Sequence, residues 1–233
     1  MTLPAAYLFD MDGLLLDTER LTLAAFLDCA EAFDLETAKM EPFFMSLVGI
    51  SAARSDEMLL AFLGPDRDAA RVVAMWRDRL AARLAEAVPV KPTVRDTLQA
   101  LTAQGGRMAV VTSTLGDKAR HHLDRAGLLS HFQFVLGGDE VSANKPDPAP
   151  YREAAERLSL PPSACAAFED SDYGITAAAA AGCCAVQIPD LRLATQPFPD
   201  VGQLFAPTLE QAVAAAQGRF AQAPGGQNAE NLG

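Results

Sequence analysis

The apolar run Tyr7-Leu8-Phe9 leads into Asp10-Met11-Asp12-Gly13, and this stretch constrains the fold of the chain more than any other. The run has the length of a strand, it delivers two carboxylates to its carboxyl end, and Gly13 lets the backbone turn away. Open α/β sheets place their ligands at that end of a strand. Residues two apart in an extended chain point the same way, so Asp10 and Asp12 address one reacting centre if strand geometry persists through Met11. Such a pair suits a nucleophile with an acid/base beside it. The competing reading is a polar turn after a buried strand, since Asp and Gly are ordinary turn residues.

After Asp17 the period becomes helical, with Leu21, Leu23, Phe26, Leu27, Ala30 and Phe33 forming one apolar face through Leu35. Three more helices are predicted, over residues 37–47, 51–62 and 66–86, separated by Gly49 and by Gly64-Pro65. Val88-Pro89-Val90-Lys91-Pro92 is a stiff connector, because each proline fixes its own φ and disfavours helix just before it. From there helix and strand alternate. Thr93 caps a helix to Gln104, and Met108–Val111 reads as a buried strand ending in Thr112-Ser113-Thr114. A helix follows over 116–126, then a short strand over 134–136, and a helix over 149–158. A strand over 165–168 ends at Glu169-Asp170-Ser171, followed by an alanine-rich helix over 175–181 and a strand over 184–188. Prolines interrupt any pattern between Pro189 and Pro207, and a last helix is expected over 208–217 behind Thr208.

This order predicts an α/β fold, a Rossmann-like and mostly parallel sheet with helices on both faces. Residues 1–16 and 89–217 are expected to form that core, residues 17–88 an all-helical insertion after the first strand, and residues 218–233 a disordered tail poor in apolar residues. With 233 residues the chain is long enough for a core plus a smaller domain.

Its net charge of −11 argues against sequence-independent binding to nucleic acid or to an anionic membrane, both of which need a positive surface. Cys29, Cys165, Cys183 and Cys184 show no Cys-x-x-Cys spacing and read as buried free thiols rather than a zinc site or a disulfide framework. No basic leader or apolar segment of membrane-spanning length stands out, so a cytoplasmic protein is expected, and a monomer is the default.

Separate strand ends thus carry Asp10 and Asp12, Thr112 and Ser113, Lys145 on the loop after the third strand, and Glu169 and Asp170. Carboxylates, a hydroxyl and one lysine converging on one sheet edge provide for phosphoryl transfer from a phosphate monoester. Taken singly, Lys145-Pro146 is a surface turn, Thr112 a helix cap and Glu169-Asp170 a charge favouring the next helix start. The ordered spacing argues that they act together.

The segment from Asp10 to Glu19 resembles the first motif of the haloacid-dehalogenase superfamily of phosphatases and phosphomutases, Asp-x-Asp-Gly-x-Leu-x-Asp-Thr/Ser-Glu in its helical-cap branch. Lys145-Pro146-Asp147-Pro148, and Glu169-Asp170-Ser171 followed by Gly174 and Gly182, resemble later motifs, so that the likeness runs from Tyr7 to Ile188. It implies a helical cap that closes over the active site. It also implies Asp10 as nucleophile, forming an aspartyl phosphate, and Asp12 as the acid and base. Lys145, Thr112 and Ser113 would bind the phosphoryl group, and Mg²⁺ would be held by Asp10, Glu169, Asp170 and the Asp12 backbone carbonyl.

Within that resemblance the expected activity is a Mg²⁺-dependent phosphatase of a small phosphate ester, such as a sugar phosphate. An isomerase of the β-phosphoglucomutase type is the alternative, but residues 17–26 lack the histidine expected of the mutase pattern. Retention of Asp12 with a metal-binding pair argues against a dehalogenase, and Lys39 gives no support for phosphonatase chemistry. A noncatalytic phosphate-binding protein on the same fold is the third possibility. His121-His122 reads as a solvated or packed pair, Trp76 as core of the insertion, and Arg20, Arg54 and Lys91 as surface charges.

Overall fold

A computed structural model of the chain describes residues 3–48, 52–65, 67–192 and 195–222. The loop expected at Gly49, helix starts at Ser51 and Asp66, and the tail from residue 223 lie outside these. The strands are β1 (Ala6–Phe9), β2 (Met108–Val111), β3 (Val135–Leu136), β4 (Cys165–Glu169), β5 (Cys184–Gln187) and β6 (Leu204–Phe205). They form one sheet in the order β3-β2-β1-β4-β5-β6, and every pairing is parallel. The chain order reverses beside β1, which places a crevice at the carboxyl ends of β1 and β4.

Helices cover both faces because β1 alternates within a continuous apolar run. Tyr7 and Phe9 face a core built with α5 (Val94–Ala103), α6 (Gly116–Arg125) and α9 (Leu209–Gln222). Ala6 and Leu8 face the opposite core, closed by α7 (Ala149–Arg157) and α8 (Asp172–Ala181). The alanines of α8 let that helix approach the sheet closely. Its start is fixed by Ser171, whose hydroxyl accepts from the N–H of Gly174 at 3.0 Å.

The insertion consists of α1 (Thr18–Leu27), α2 (Thr37–Met45), α3 (Ala52–Leu63) and α4 (Ala69–Glu86). These helices share a separate core around Phe26, Met40, Phe44, Leu59, Leu63 and Val72. Trp76 packs against Phe26 with ring centroids 4.8 Å apart and donates its indole N–H to the Thr22 carbonyl. At the junction with the sheet the two connecting strands lie side by side. The N–H of Asp17 donates to Pro89 O at 2.9 Å, and that of Lys91 to Leu15 O at 3.0 Å.

Several local expectations need correction. The first helix of the insertion ends at Leu27 rather than Leu35, and a short turn over Glu31–Phe33 leads to Asp34 at φ 51°. Arg79 of α4 bonds the Asp28 carbonyl, which a continuing helix would use itself, and Arg83 bonds the Asp28 carboxylate. Thr93 adopts φ 64°, and its buried hydroxyl caps nothing. β6 was not expected, because two residues between prolines are too short to show a period. The last helix runs through Gly218 to Gln222, five residues beyond the expected Gln217. Cys29 and Cys165 are buried, whereas Cys183 and Cys184 are only half-buried; all four are free thiols. Among the described residues no helix is long and apolar enough to cross a membrane.

Candidate active site

Asp10 follows the last residue of β1, and its N–H donates to Phe168 O on β4 at 3.0 Å, so the ladder carries on past the strand. The alternation carries on too. Met11 is buried in the core under the sheet, while Asp10 and Asp12 lie on the other side. Gly13 then sits at φ 82°, where any side chain would be strained and would also collide with the Asp170 carboxylate. Its lack of a Cβ is therefore what lets the β1 turn approach the end of β4.

Asp10, Glu169 and Asp170 are all buried, with one ligand oxygen from each lying within 4.8 Å of the others. Lys145, also buried, places Nζ 2.6 Å from Asp10 Oδ1 and 2.6 Å from Glu169 Oε1, and it donates to Val111 O at 2.9 Å. Three carboxylates against one ammonium leave this cluster at −2 when all are ionised. Burial lifts the pKa of Asp10 well above the ordinary range, opposed by Lys145 and reinforced by Glu169 and Asp12. For Asp170 burial acts first, and the neighbouring charges of Asp10, Glu169, Glu19 and Asp190 all act in the same upward direction. Burial would depress Lys145, but the carboxylates of Asp10 and Glu169 outweigh it and hold its pKa above the usual range.

This donor set fits Mg²⁺. It offers hard oxygen ligands at one point, and a divalent cation would cancel its surplus charge. Glu169 is the most heavily engaged member. The Tyr151 hydroxyl donates to its Oε1, Ser171 Oγ lies 3.3 Å from its Oε2, and Gly174 leaves room for its carboxylate where a methyl group would collide.

Asp12 stands beside the cluster and accepts a hydroxyl on each oxygen. Thr18 donates to Oδ1 at 2.6 Å and Thr114 to Oδ2 at 2.7 Å. Thr112 Oγ1 is more distant, 3.5 Å from Oδ2, and accepts the N–H of Thr114 at 3.1 Å. Ser113 is exposed and takes no part in these side-chain bonds. Six of the seven site residues expected from sequence thus gather at one sheet edge, and Ser113 adjoins them through the chain only.

Sequence reasoning passed over Thr18, Thr114 and Tyr151. The two threonines stood inside stretches already singled out, and their hydroxyls next to a carboxylate were the available signal; Tyr151 gave none. Arg20 and Lys91, read as surface charges, both pair with the buried carboxylate of Asp190 at 2.7 Å. Asp190 follows β5 and so ties α1 and the connector to the sheet. His122 is half-buried and its pKa is lowered by burial, in keeping with a packed side chain.

Residues 7–188 match the family model described as haloacid dehalogenase-like hydrolase. A phosphorylated carbohydrates phosphatase of Thermotoga maritima is 30% identical over 177 residues, 76% of this chain and 81% of that protein. A fructose-1-phosphate phosphatase of Escherichia coli is 30% identical over 186 residues, 79% of this chain and 96% of that protein. Among solved structures, one described as a predicted phosphoglycolate phosphatase from Haemophilus somnus superposes with a TM-score of 0.80 at 22% identity, covering 93% of this chain and 100% of that one. Its likeness is one of fold. The chain belongs to the haloacid dehalogenase-like hydrolases.

Proposed function

We propose that the protein is a Mg²⁺-dependent phosphatase that hydrolyses a small phosphate monoester of the sugar-phosphate class through an aspartyl phosphate on Asp10. The observation that carries the proposal is the buried cluster of Asp10, Lys145, Glu169 and Asp170, with Asp12 held beside it by two hydroxyls. The named activities of the two 30% identical relatives support the same substrate class.

When bound by Asp10, Asp170, the Asp12 carbonyl and, directly or through a shared hydrogen-bond network, Glu169, Mg²⁺ would neutralise nucleophile and phosphate together. Asp10 supplies the attacking carboxylate oxygen, which forms a bond to phosphorus as the ester oxygen leaves. Asp12 gives its proton to that leaving oxygen and then takes one from the water that attacks the aspartyl phosphate. Lys145 holds a fixed positive charge against Asp10 and the transferring oxygens, and Thr112 donates a hydrogen bond to them. Residues 17–88 act as the cap that closes over this edge and reads the rest of the substrate.

Two tests address this proposal. Asp10→Asn keeps the shape but removes the nucleophile, and its Mg²⁺-dependent phosphate release should fall below detection while the fold, followed by circular dichroism, is unchanged. Appreciable residual turnover would remove Asp10 from the mechanism. Wild-type protein should release phosphate from some members of a panel of phosphorylated sugars, polyols and sugar acids; binding without release would point to a noncatalytic phosphate-binding protein. Interconversion of sugar phosphates without release would point to an isomerase, which the absence of histidine from residues 17–26 argues against.

A further inference from the structure

We infer that Thr114 is a positioning residue for Asp12, one that keeps the acid/base carboxylate aimed at the leaving oxygen from the sheet side; this rests on Asp12 being that acid and base. Thr114 is fixed at three points. Its N–H donates to Thr112 Oγ1 at 3.1 Å, its carbonyl accepts from Gly138 N at 2.9 Å, and its own hydroxyl donates to Asp12 Oδ2 at 2.7 Å. The loop that carries it is clamped in turn. Gly116 N donates to Asp139 Oδ1 at 2.8 Å and Gly137 N to Glu140 Oε2 at 2.9 Å. A Cβ on Gly137 would strike the Gly116 backbone, and one on Gly138 would strike the Ser113 carbonyl. The loops after β2 and β3 are therefore packed backbone to backbone, and Thr114 has little freedom to move.

The consequence falls on Asp12. Its carboxylate stands beyond the end of β1, just before the turn at Gly13, and it is only half-buried, so local packing alone does not fix its rotamer. Thr18 donates to Oδ1 from the first residue of α1, whereas Thr114 donates to Oδ2 from the sheet's own loops. Oδ2 also lies 3.5 Å from Thr112 Oγ1, whereas Oδ1 retains a further acceptor site. That site carries the proton to the leaving oxygen, while the Thr114 bond holds the plane of the group. A hydroxyl bond from so firmly fixed a donor restricts the plane of the group.

The test uses the full chain with Mg²⁺ and compares Thr114→Val, Thr114→Ser, Asp12→Asn and the double variant Asp12→Asn with Thr114→Val. Rapid-quench measurement of aspartyl-phosphate formation is made with an alkyl phosphate and with p-nitrophenyl phosphate, whose leaving group needs no proton. Thr114→Val should slow the alkyl reaction roughly 2- to 10-fold, the range expected for losing one hydrogen bond to an uncharged acid. The p-nitrophenyl reaction should fall far less, Thr114→Ser should recover most of the loss, and the double variant should be no slower than Asp12→Asn. If Asp12→Asn is selectively slow on the alkyl phosphate but Thr114→Val matches wild type, or loses both substrates equally, the positioning role is overturned and Asp12 stands. If Asp12→Asn itself shows no such selectivity, the acid/base assignment falls and the role of Thr114 with it.

Discussion

Lys145 reaches from the loop after β3 to set its Nζ 2.6 Å from Oδ1 of Asp10 at the end of β1, joining two buried side chains that are 135 residues apart in sequence. The same ammonium also serves Glu169, so one cation bridges carboxylates at the ends of the paired strands β1 and β4.

Replacing Lys145 by Met should therefore cost more than a surface ion pair would. Removing one partner of a buried pair typically destabilises by about 3–5 kcal/mol, because the remaining charge has no counterion. We expect a loss of that order in urea unfolding of the metal-free protein, partly recovered by added Mg²⁺, together with a fall in phosphate release of at least about 100-fold. An unfolding midpoint close to that of wild type would mean that the buried carboxylates do not need the lysine.

Asp170 should behave in opposite ways with and without metal. Burial and four neighbouring carboxylates raise its pKa well above the ordinary 3.8, so its contribution to stability is intact below that value and is lost as pH rises through the shifted pKa. Asp170→Asn cannot ionise, and it should raise the melting temperature of the chelator-treated protein at pH 8. It should also raise the Mg²⁺ concentration needed for half activation by roughly 10- to 100-fold. A metal titration indistinguishable from wild type would exclude Asp170 as a ligand.

Gly174→Ala tests how tightly Glu169 is seated. The added methyl would meet the Glu169 carboxylate, and overpacking of this kind costs about 1–3 kcal/mol. Tyr151→Phe removes a donor to the same carboxylate without adding bulk. Both should lower thermal stability, and the alanine variant should lose Mg²⁺ activation as well. Full activity in Gly174→Ala would show that Glu169 is free to move without consequence for the metal site.

Glu19 supplies a pH dependence. Burial, then the charges of Asp12 and Asp190, push its pKa from 4.5 to about 8. Its contribution to stability is therefore complete below about 4.5 and is lost as pH rises through about 8. Glu19→Gln should flatten the fall in stability over that window, as measured by denaturant unfolding of the metal-free protein at a series of pH values. If the wild-type and Gln profiles run parallel, Glu19 is ionised throughout and must have a cationic partner.

Much of the fold was legible because the sheet is parallel and buried on both faces. Continuous apolar runs such as Met108–Val111 and Cys165–Phe168, separated by amphipathic helices, leave little choice of architecture. Asp10, Asp12, Lys145 and Asp170 were legible as a set because each follows a strand or a proline-marked loop. Thr114 and Tyr151 were not, since their significance depends on which loop faces which carboxylate, and that is decided by contacts between distant parts of the chain. The β6 strand and the early end of α1 failed for a related reason: a two-residue pairing and an Arg79–Asp28 contact across 51 residues leave no periodic trace.

The junction between sheet and insertion has an evolutionary consequence. Because Asp17 and Pro89 are joined by one hydrogen bond, the intervening segment leaves and re-enters the sheet through a single narrow neck. An excursion closed in this way imposes little strain on the strands it interrupts. Another helical unit with similarly spaced ends could be grafted there without altering the register of β1 against β4. Under the proposed function, recognition and chemistry are thus separately inheritable: the insertion can be exchanged while the carboxylates at the ends of β1 and β4 stay where they are.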